Sequence, residues 1–368
     1  MLITKIEVCQ MPVELKEPFV ISLGSFTHAN NVVVAIRTDA GLTGFGECSP
    51  FMPINGESME TCLVVGEYLG RNLLGKDPTD IAANATLMDQ VIYGNSSIKS
   101  AFDIAMYDLA SQHAELPLYA FLGGKNNKRL ATDYTVSLGD KHKMVQDALW
   151  IKNQGFQAIK VKLGESFDKD CERIRLIREA VGMDIPLRID ANQGWDTPTA
   201  IAILQALEPY HIQHCEEPIP RWNFMDLPLV RRQSPIDIMA DESCSDHHDA
   251  KRLIDLEACD QINIKLGKSS GIFNALKIIR LAEEANMHLQ IGGFLESRLA
   301  FTAAAHLALT SESIRYCDFD TPLMFTEDPV SGGISYNRMG IVTVPEVVGL
   351  GAWIDEEYLR QLKKIVIS

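Results

Sequence analysis

Five ionisable residues punctuate the middle of this chain at near-regular intervals: Lys162, Asp190, Glu216, Asp241 and Lys265, separated by 28, 26, 25 and 24 residues. Each closes a short, mostly apolar run, at residues 158–162, 186–190, 212–216, 236–241 and 261–265. Three carboxylates flanked by lysines are the parts of a metal site lying between two bases. Brought to one point, Asp190, Glu216 and Asp241 repel, and their pKa values rise unless a divalent cation neutralises them. All-oxygen ligation selects Mg²⁺ or Mn²⁺ over zinc. Lys160 and Lys162 are two apart, so on a strand they share a face. Like charges that close depress each other's pKa towards that of a usable base. With Lys265 on the other side, one base stands on each face of whatever the metal holds. Such a site suits removal of a proton from carbon beside a carboxylate, with the metal carrying the enediolate charge.

A period of about 25 residues accommodates one strand and one crossover helix. In a parallel barrel the carboxyl ends of successive strands converge on one mouth. Residues 132–137 supply a strand before the five runs, and 288–293 and 314–318 supply two after them, making eight. Between Lys162 and Asp190, Cys171, Ile174, Ile177 and Val181 fall on one helical face. These elements predict an α/β chain built on a (β/α)₈-type barrel. After the eighth strand the chain is rich in Gly and Pro with no long helix before Val344, so the last helix is lost and the form is (β/α)₇β.

Ahead of the barrel, residues 3–13 alternate, residues 32–37 are a strand, and residues 42–48 return after an Asp39-Ala40-Gly41 turn. Gly44-x-Gly46 is a hairpin feature rather than a nucleotide loop. From Ser58 to Leu116 the period is helical, with Ile98, Ala101, Phe102, Ala105, Met106 and Leu109 on one stripe and Pro117 as the stop. The expected division is an α+β unit over 1–125, a barrel over 126–343, and a segment over 344–368 returning to the first unit.

A formal charge of −15 argues against nucleic acid and anionic membranes as partners. No apolar run reaches the ~18 residues of a membrane span. The amino terminus alternates like a strand and lacks the layout of a signal peptide. The eight cysteines contain no Cys-x-x-Cys pair and read as reduced, mostly buried thiols, which together with the terminus predicts a cytoplasmic protein. His247-His248 lies in a polar loop and is read as solvated.

The order Lys160-x-Lys162, Asp190-Ala191-Asn192-Gln193-Gly194-Trp195, Glu216-Glu217-Pro218, Ala240-Asp241-Glu242-Ser243 and Asn263-Ile264-Lys265 resembles the enolase superfamily, muconate-lactonizing subgroup, along the whole chain. The resemblance implies an α+β capping domain over a modified barrel, a homo-oligomer, Asp190, Glu216 and Asp241 as Mg²⁺ ligands, and Lys162 and Lys265 as catalytic bases. It does not settle the reaction, because members include cycloisomerases, o-succinylbenzoate synthases, N-acylamino acid racemases and dipeptide epimerases.

At the eighth strand, Asp318 and Asp320 put two carboxylates at the mouth, where they repel phosphate and attract a cation. Asp-x-Asp there is similar to the pattern with which dipeptide epimerases hold the substrate α-ammonium. The loop over residues 18–25 closes over the site and offers no Lys or Arg between Glu17 and Asn31. A small apolar side chain such as that of Ala is therefore expected on the substrate. Lys160 and Thr135 join the substrate-binding set, Lys160 also tuning Lys162; Glu296 faces the site without an assignable role. The expectation is a Mg²⁺-dependent epimerase of small dipeptides such as Ala-Ala. An N-acylamino acid racemase or o-succinylbenzoate synthase is the alternative, and a non-catalytic binding barrel is a third reading.

Overall fold

In the computed structural model, which describes residues 1–368, eight parallel strands follow one another in sequence order. They are Tyr134–Val136, Ile159–Lys162, Leu187–Asp190, Ile212–Glu216, Ile238–Ala240, Gln261–Lys265, His288–Gly292 and Ile314–Cys317. A parallel bridge between Thr132 and Cys317 joins the first strand's approach to the eighth, bringing the sheet's two edges together. Helices occupy the connections, for example Phe167–Val181 between the second and third strands. No α-helix immediately follows the eighth strand; a short 3₁₀ turn at Thr321–Met324 takes its place. The (β/α)₇β form thus stands.

Alternation along these strands separates two environments. Ile159, Val161, Ile189, Cys215, Ile238, Ile262, Ile264 and Ile291 join the main apolar core. Lys160, Lys162, Arg188, Asp190, His214, Glu216, Asn263, Lys265 and Gln290 are equally buried but polar. Barrel interiors usually fill with branched apolar side chains. This one carries charge through its interior, which only a dense network of partners makes tolerable.

The amino-terminal unit pairs Ile3–Ile21, Gly24–Thr38 and Thr43–Cys48 as antiparallel strands, packed on helices Met59–Leu73, Ile81–Val91 and Ser96–His113. Gly44 and Gly46 matter for packing as well as for the hairpin. A Cβ there would stand 2.2 Å from the Ala105 carbonyl oxygen and 2.0 Å from that of Ala101. The helix therefore lies directly on the strand backbone. Residues 18–25, expected as a loop, are mostly strand: the first two strands run on into a long hairpin with its turn at 22–23. A register shift between Glu14 and Phe19 lets this arm bend. Strand Lys364–Ile367 returns to pair with Ile3–Ile21, Ile6 opposite Ile367.

Two buried carboxylates fasten this unit to the barrel. Asp103 accepts the backbone N–H groups of Ile272 and Phe273 at the start of helix Ile272–Glu284. Glu47 accepts those of Ser297 and Ala300 at the start of helix Arg298–Ala308. Each supplies the orphan donors of a helix N-terminus from a distant part of the chain. No helix is long and apolar enough to cross a membrane. All eight cysteines are free thiols, seven of them buried.

Candidate active site

A cavity at the carboxyl ends of the barrel strands is closed from above by the hairpin. Its polar lining includes Thr135, Lys162, Asn192, Lys265, Asp318 and Asp320. Phe19, Ile21, Phe51, Ile54, Phe294 and Leu295 form its apolar walls. The hairpin is anchored at its turn, where Ser22 Oγ donates to the Asn192 carbonyl at 2.7 Å, and at Val20, whose carbonyl accepts the Leu138 N–H at 2.9 Å.

Lys162 and Lys265 end the second and sixth of eight strands, half a turn of the barrel apart. The three acids lie between them. Lys162 Nζ is 2.6 Å from Asp190 Oδ2, and Lys265 Nζ is 2.7 Å from Asp241 Oδ2. Each ammonium also stands near an aromatic ring, Lys162 5.8 Å from the Phe19 centroid and Lys265 4.9 Å from that of Phe294. The Phe294 ring in turn stacks on Phe51 at 5.5 Å. Glu216 accepts from Asn263 Nδ2 at 2.9 Å and Gln290 Nε2 at 3.2 Å. The residue after it, Glu217, holds φ at 34°, and Asn192 and Gln193 hold 41° and 70°. Left-handed backbone at non-glycine residues is strained, and here it gathers around the acids.

The acids are not bare, as their spacing alone suggested. Lys160 lies 3.0 Å from Asp190, 2.8 Å from Glu216 and 2.9 Å from Asp318. Lys268, which no periodic pattern marks, lies 2.5 Å from Asp241 Oδ1 and donates to the Cys244 and Asn263 carbonyls. Burial opposes ionisation of Asp190, but Lys162 and Lys160 outweigh it and hold its pKa below the usual range. Lys265 and Lys268 do the same for Asp241. Glu216, with a smaller share of these cations, is pushed by burial and by Asp190 to about 7.

The idea that Lys160 and Lys162 depress each other does not hold for Lys160. Burial works against its charge, yet Asp318, Glu216 and Asp190 raise its pKa well above the ordinary lysine value. Carboxylates at contact distance override a like charge two residues along the strand. Nor does Lys160 line the cavity. Its three donors face three acids, so its place is beneath the cavity rather than in its lining.

The donor set fits a hard divalent cation. Three fully buried side chains offer only oxygen, and neither Asp241 carboxylate oxygen accepts a well-aligned hydrogen bond despite its lysine neighbours.

Asp318 and Asp320 stand on the cavity wall beyond Lys160. Asp320 Oδ2 accepts the Thr135 N–H at 2.7 Å, which ties Thr135 to the acid pair. Glu296 does not line the cavity. It turns back to accept the Phe294 N–H at 2.5 Å, holding the loop that carries that ring, and burial raises its pKa to about 8. Asp133 escaped notice as a site residue, although it shares strand parity with Thr135. One of its carboxylate oxygens lies within 4.8 Å of one each from Asp318 and Asp320.

Comparison with known proteins shows the family and the fold. The profile for the mandelate racemase / muconate lactonizing enzyme N-terminal domain matches residues 3–123, and the enolase C-terminal domain-like profile matches 143–358. A D-Ala-D/L-Ala epimerase from Cytophaga hutchinsonii is 61% identical over 368 residues, all of both chains. A crystal structure of a dipeptide epimerase from the same organism, complexed with Mg and D-Ala-L-Val, superposes with a TM-score of 0.99 over 100% of both chains at 61% identity. The N-succinyl Arg/Lys racemase of Bacillus cereus superposes with a TM-score of 0.96, also over 100% of both chains, at 31% identity.

Proposed function

The chain belongs to the enolase superfamily, in its mandelate racemase / muconate lactonizing enzyme family, and on that premise we propose that it is a metal-dependent dipeptide epimerase. Its reaction is a 1,1-proton transfer that inverts the α-carbon of the carboxyl-terminal residue. The observation that carries this reading is the pair Lys162 and Lys265, reaching one cavity from opposite walls with three acids between them.

In this reading Asp190, Glu216 and Asp241 hold Mg²⁺, with Mn²⁺ as a substitute. When bound, the metal supplies the positive charge that a substrate carboxylate needs beside three acids. One lysine removes the α-proton from its face, and the other delivers a proton to the opposite face. Lys160 stays protonated and keeps Glu216 and Asp318 in place. Asp318 and Asp320 take the substrate α-ammonium, with Thr135 fixing Asp320. The apolar walls and the hairpin exclude water from the reacting carbon.

The lining supports a small apolar side chain on the inverted residue, as in Ala-Ala. Apart from Lys162 and Lys265 the cavity presents no cation to a second substrate carboxylate. The likeness to a D-Ala-D/L-Ala epimerase supports the same choice. Superposition alone does not separate epimerase from racemase, since both scaffolds match closely. The Asp318–Asp320 pair favours a free ammonium over an acylated nitrogen.

The test is a dipeptide library incubated in D₂O and read by mass spectrometry. Deuterium should enter dipeptides ending in Ala or another small apolar residue. Exchange confined to N-acylamino acids would make the chain a racemase instead.

A further inference from the structure

Beneath Asp318 and Asp320 lies a buried ion pair that the reaction does not use. Asp133 is fully buried, and its Oδ2 accepts from Arg188 Nη1 at 2.8 Å. Arg188 is fixed on its other side, donating through Nε to Gln213 Oε1 at 2.8 Å and stacking 4.7 Å from the Tyr316 ring centroid. The second Asp133 oxygen, Oδ1, has no hydrogen-bond partner. Asp133 and Arg188 both line a separate cavity of about 220 Å³ at the amino ends of the barrel strands, away from the substrate.

The charges around the pair can be set against one another. Burial and the neighbouring Asp318 raise the Asp133 and Asp320 carboxyls, while the 2.8 Å contact with Arg188 favours the charged form of Asp133 and the Thr135 N–H that of Asp320. With all five groups ionised, Asp133, Asp318 and Asp320 carry three negative charges against two positive ones on Lys160 and Arg188. One negative charge is left over. Lys160 also divides itself between Asp190 and Glu216, and Lys162 and Lys265, the other cations that act on Asp318, are each paired with an acid of their own, Asp190 and Asp241. A single ammonium is its complement. Without Asp133, the charge on Arg188 would cancel the attraction.

We infer that Asp133 is a positioning residue that sets the charge of the ammonium site, cancelling Arg188 so that Asp318 and Asp320 remain free to bind one cationic amine. This rests on the reading of Asp318 and Asp320 as the ammonium site. Asp133 acts through charge and does not touch substrate.

The readout is the ratio of kcat/KM for Ala-Ala to that for propanoyl-alanine, which lacks only the amine. A purely structural role for Asp133 would change both substrates alike and leave the ratio still. Asp133→Asn should lower the ratio about tenfold. Arg188→Gln should raise it, and the double variant Asp133→Asn/Arg188→Gln should return it to that of the unaltered enzyme. If Asp133→Asn does not fold, Arg188→Gln and the double variant carry the test, because the double variant leaves no buried charge unpaired. An unchanged ratio in Asp133→Asn or Arg188→Gln overturns the inference, as does a double variant displaced from the unaltered ratio. Equal turnover of the two substrates by the unaltered enzyme would instead defeat the ammonium site itself, so the two failures are distinguishable.

Discussion

Lys160 Nζ and Asp318 Oδ2 are 2.9 Å apart, and this one charge-assisted bond joins the proposed metal-binding acids to the proposed ammonium-binding pair. The same ammonium reaches Glu216 at 2.8 Å, so it bridges two carboxylate groups with different tasks. Buried acids this dense repel unless cations lie between them.

Recognition of the amine should depend on charge. Asp318→Asn and Asp320→Asn each remove a charge with little change of volume. A charge-assisted hydrogen bond contributes on the order of 1.5–3 kcal/mol. Steady-state kinetics on Ala-Ala should therefore show kcat/KM reduced roughly ten- to a hundredfold. An N-acetylated dipeptide should be a poor substrate for the unaltered enzyme.

Removing the metal should stop the reaction without unfolding the protein. EDTA is expected to abolish epimerisation and Mg²⁺ to restore it. Because Lys160, Lys162, Lys265 and Lys268 already neutralise the acids, circular dichroism of the chelated protein should show a native fold. Full activity after chelation would remove Asp190, Glu216 and Asp241 from the metal site.

The junction between the two domains should report pH through Asp103. Burial pushes its pKa up to about 7, only partly offset by the N–H groups of Phe273 and Ile272. A carboxyl raised in the folded state favours folding below its unfolded value, near 3.9, and loses that contribution as pH climbs through about 7. Asp103→Asn does not titrate. The Tm of this variant relative to the unaltered protein should therefore rise between pH 5 and 8. A difference flat across that range would mean that Asp103 is not held at a raised pKa.

Much of the site was legible because geometry enforces a period. One strand and one helix consume about 25 residues, so acids at that spacing must meet at a barrel mouth. Parity along the strand also carried information about Asp133 and Arg188, two residues before Thr135 and Asp190, but strand parity alone does not tell a buried ion pair from an apolar layer. Lys268 gave no periodic signal, since it sits in the turn of helix at Leu266–Ser269. The pairing of Lys160 with three acids was invisible because it depends on distances across the barrel. The hairpin arm reads as a loop in sequence because Pro18 and Gly24 interrupt its alternation. The bonds from Asp103 and Glu47 to distant helices bridge 169 to 253 residues, beyond any local pattern.

Two bases on opposite faces can be told from one by isotope exchange in single-lysine variants. Lys162→Ala and Lys265→Ala should each lose epimerisation in both directions. Incubated in D₂O with each antipode of the substrate, each variant should still exchange the α-proton of one antipode, because the surviving lysine returns a solvent deuteron to its own face. The two variants should exchange opposite antipodes. Exchange of the same antipode by both, or normal epimerisation by Lys265→Ala, would rule out one base on each face.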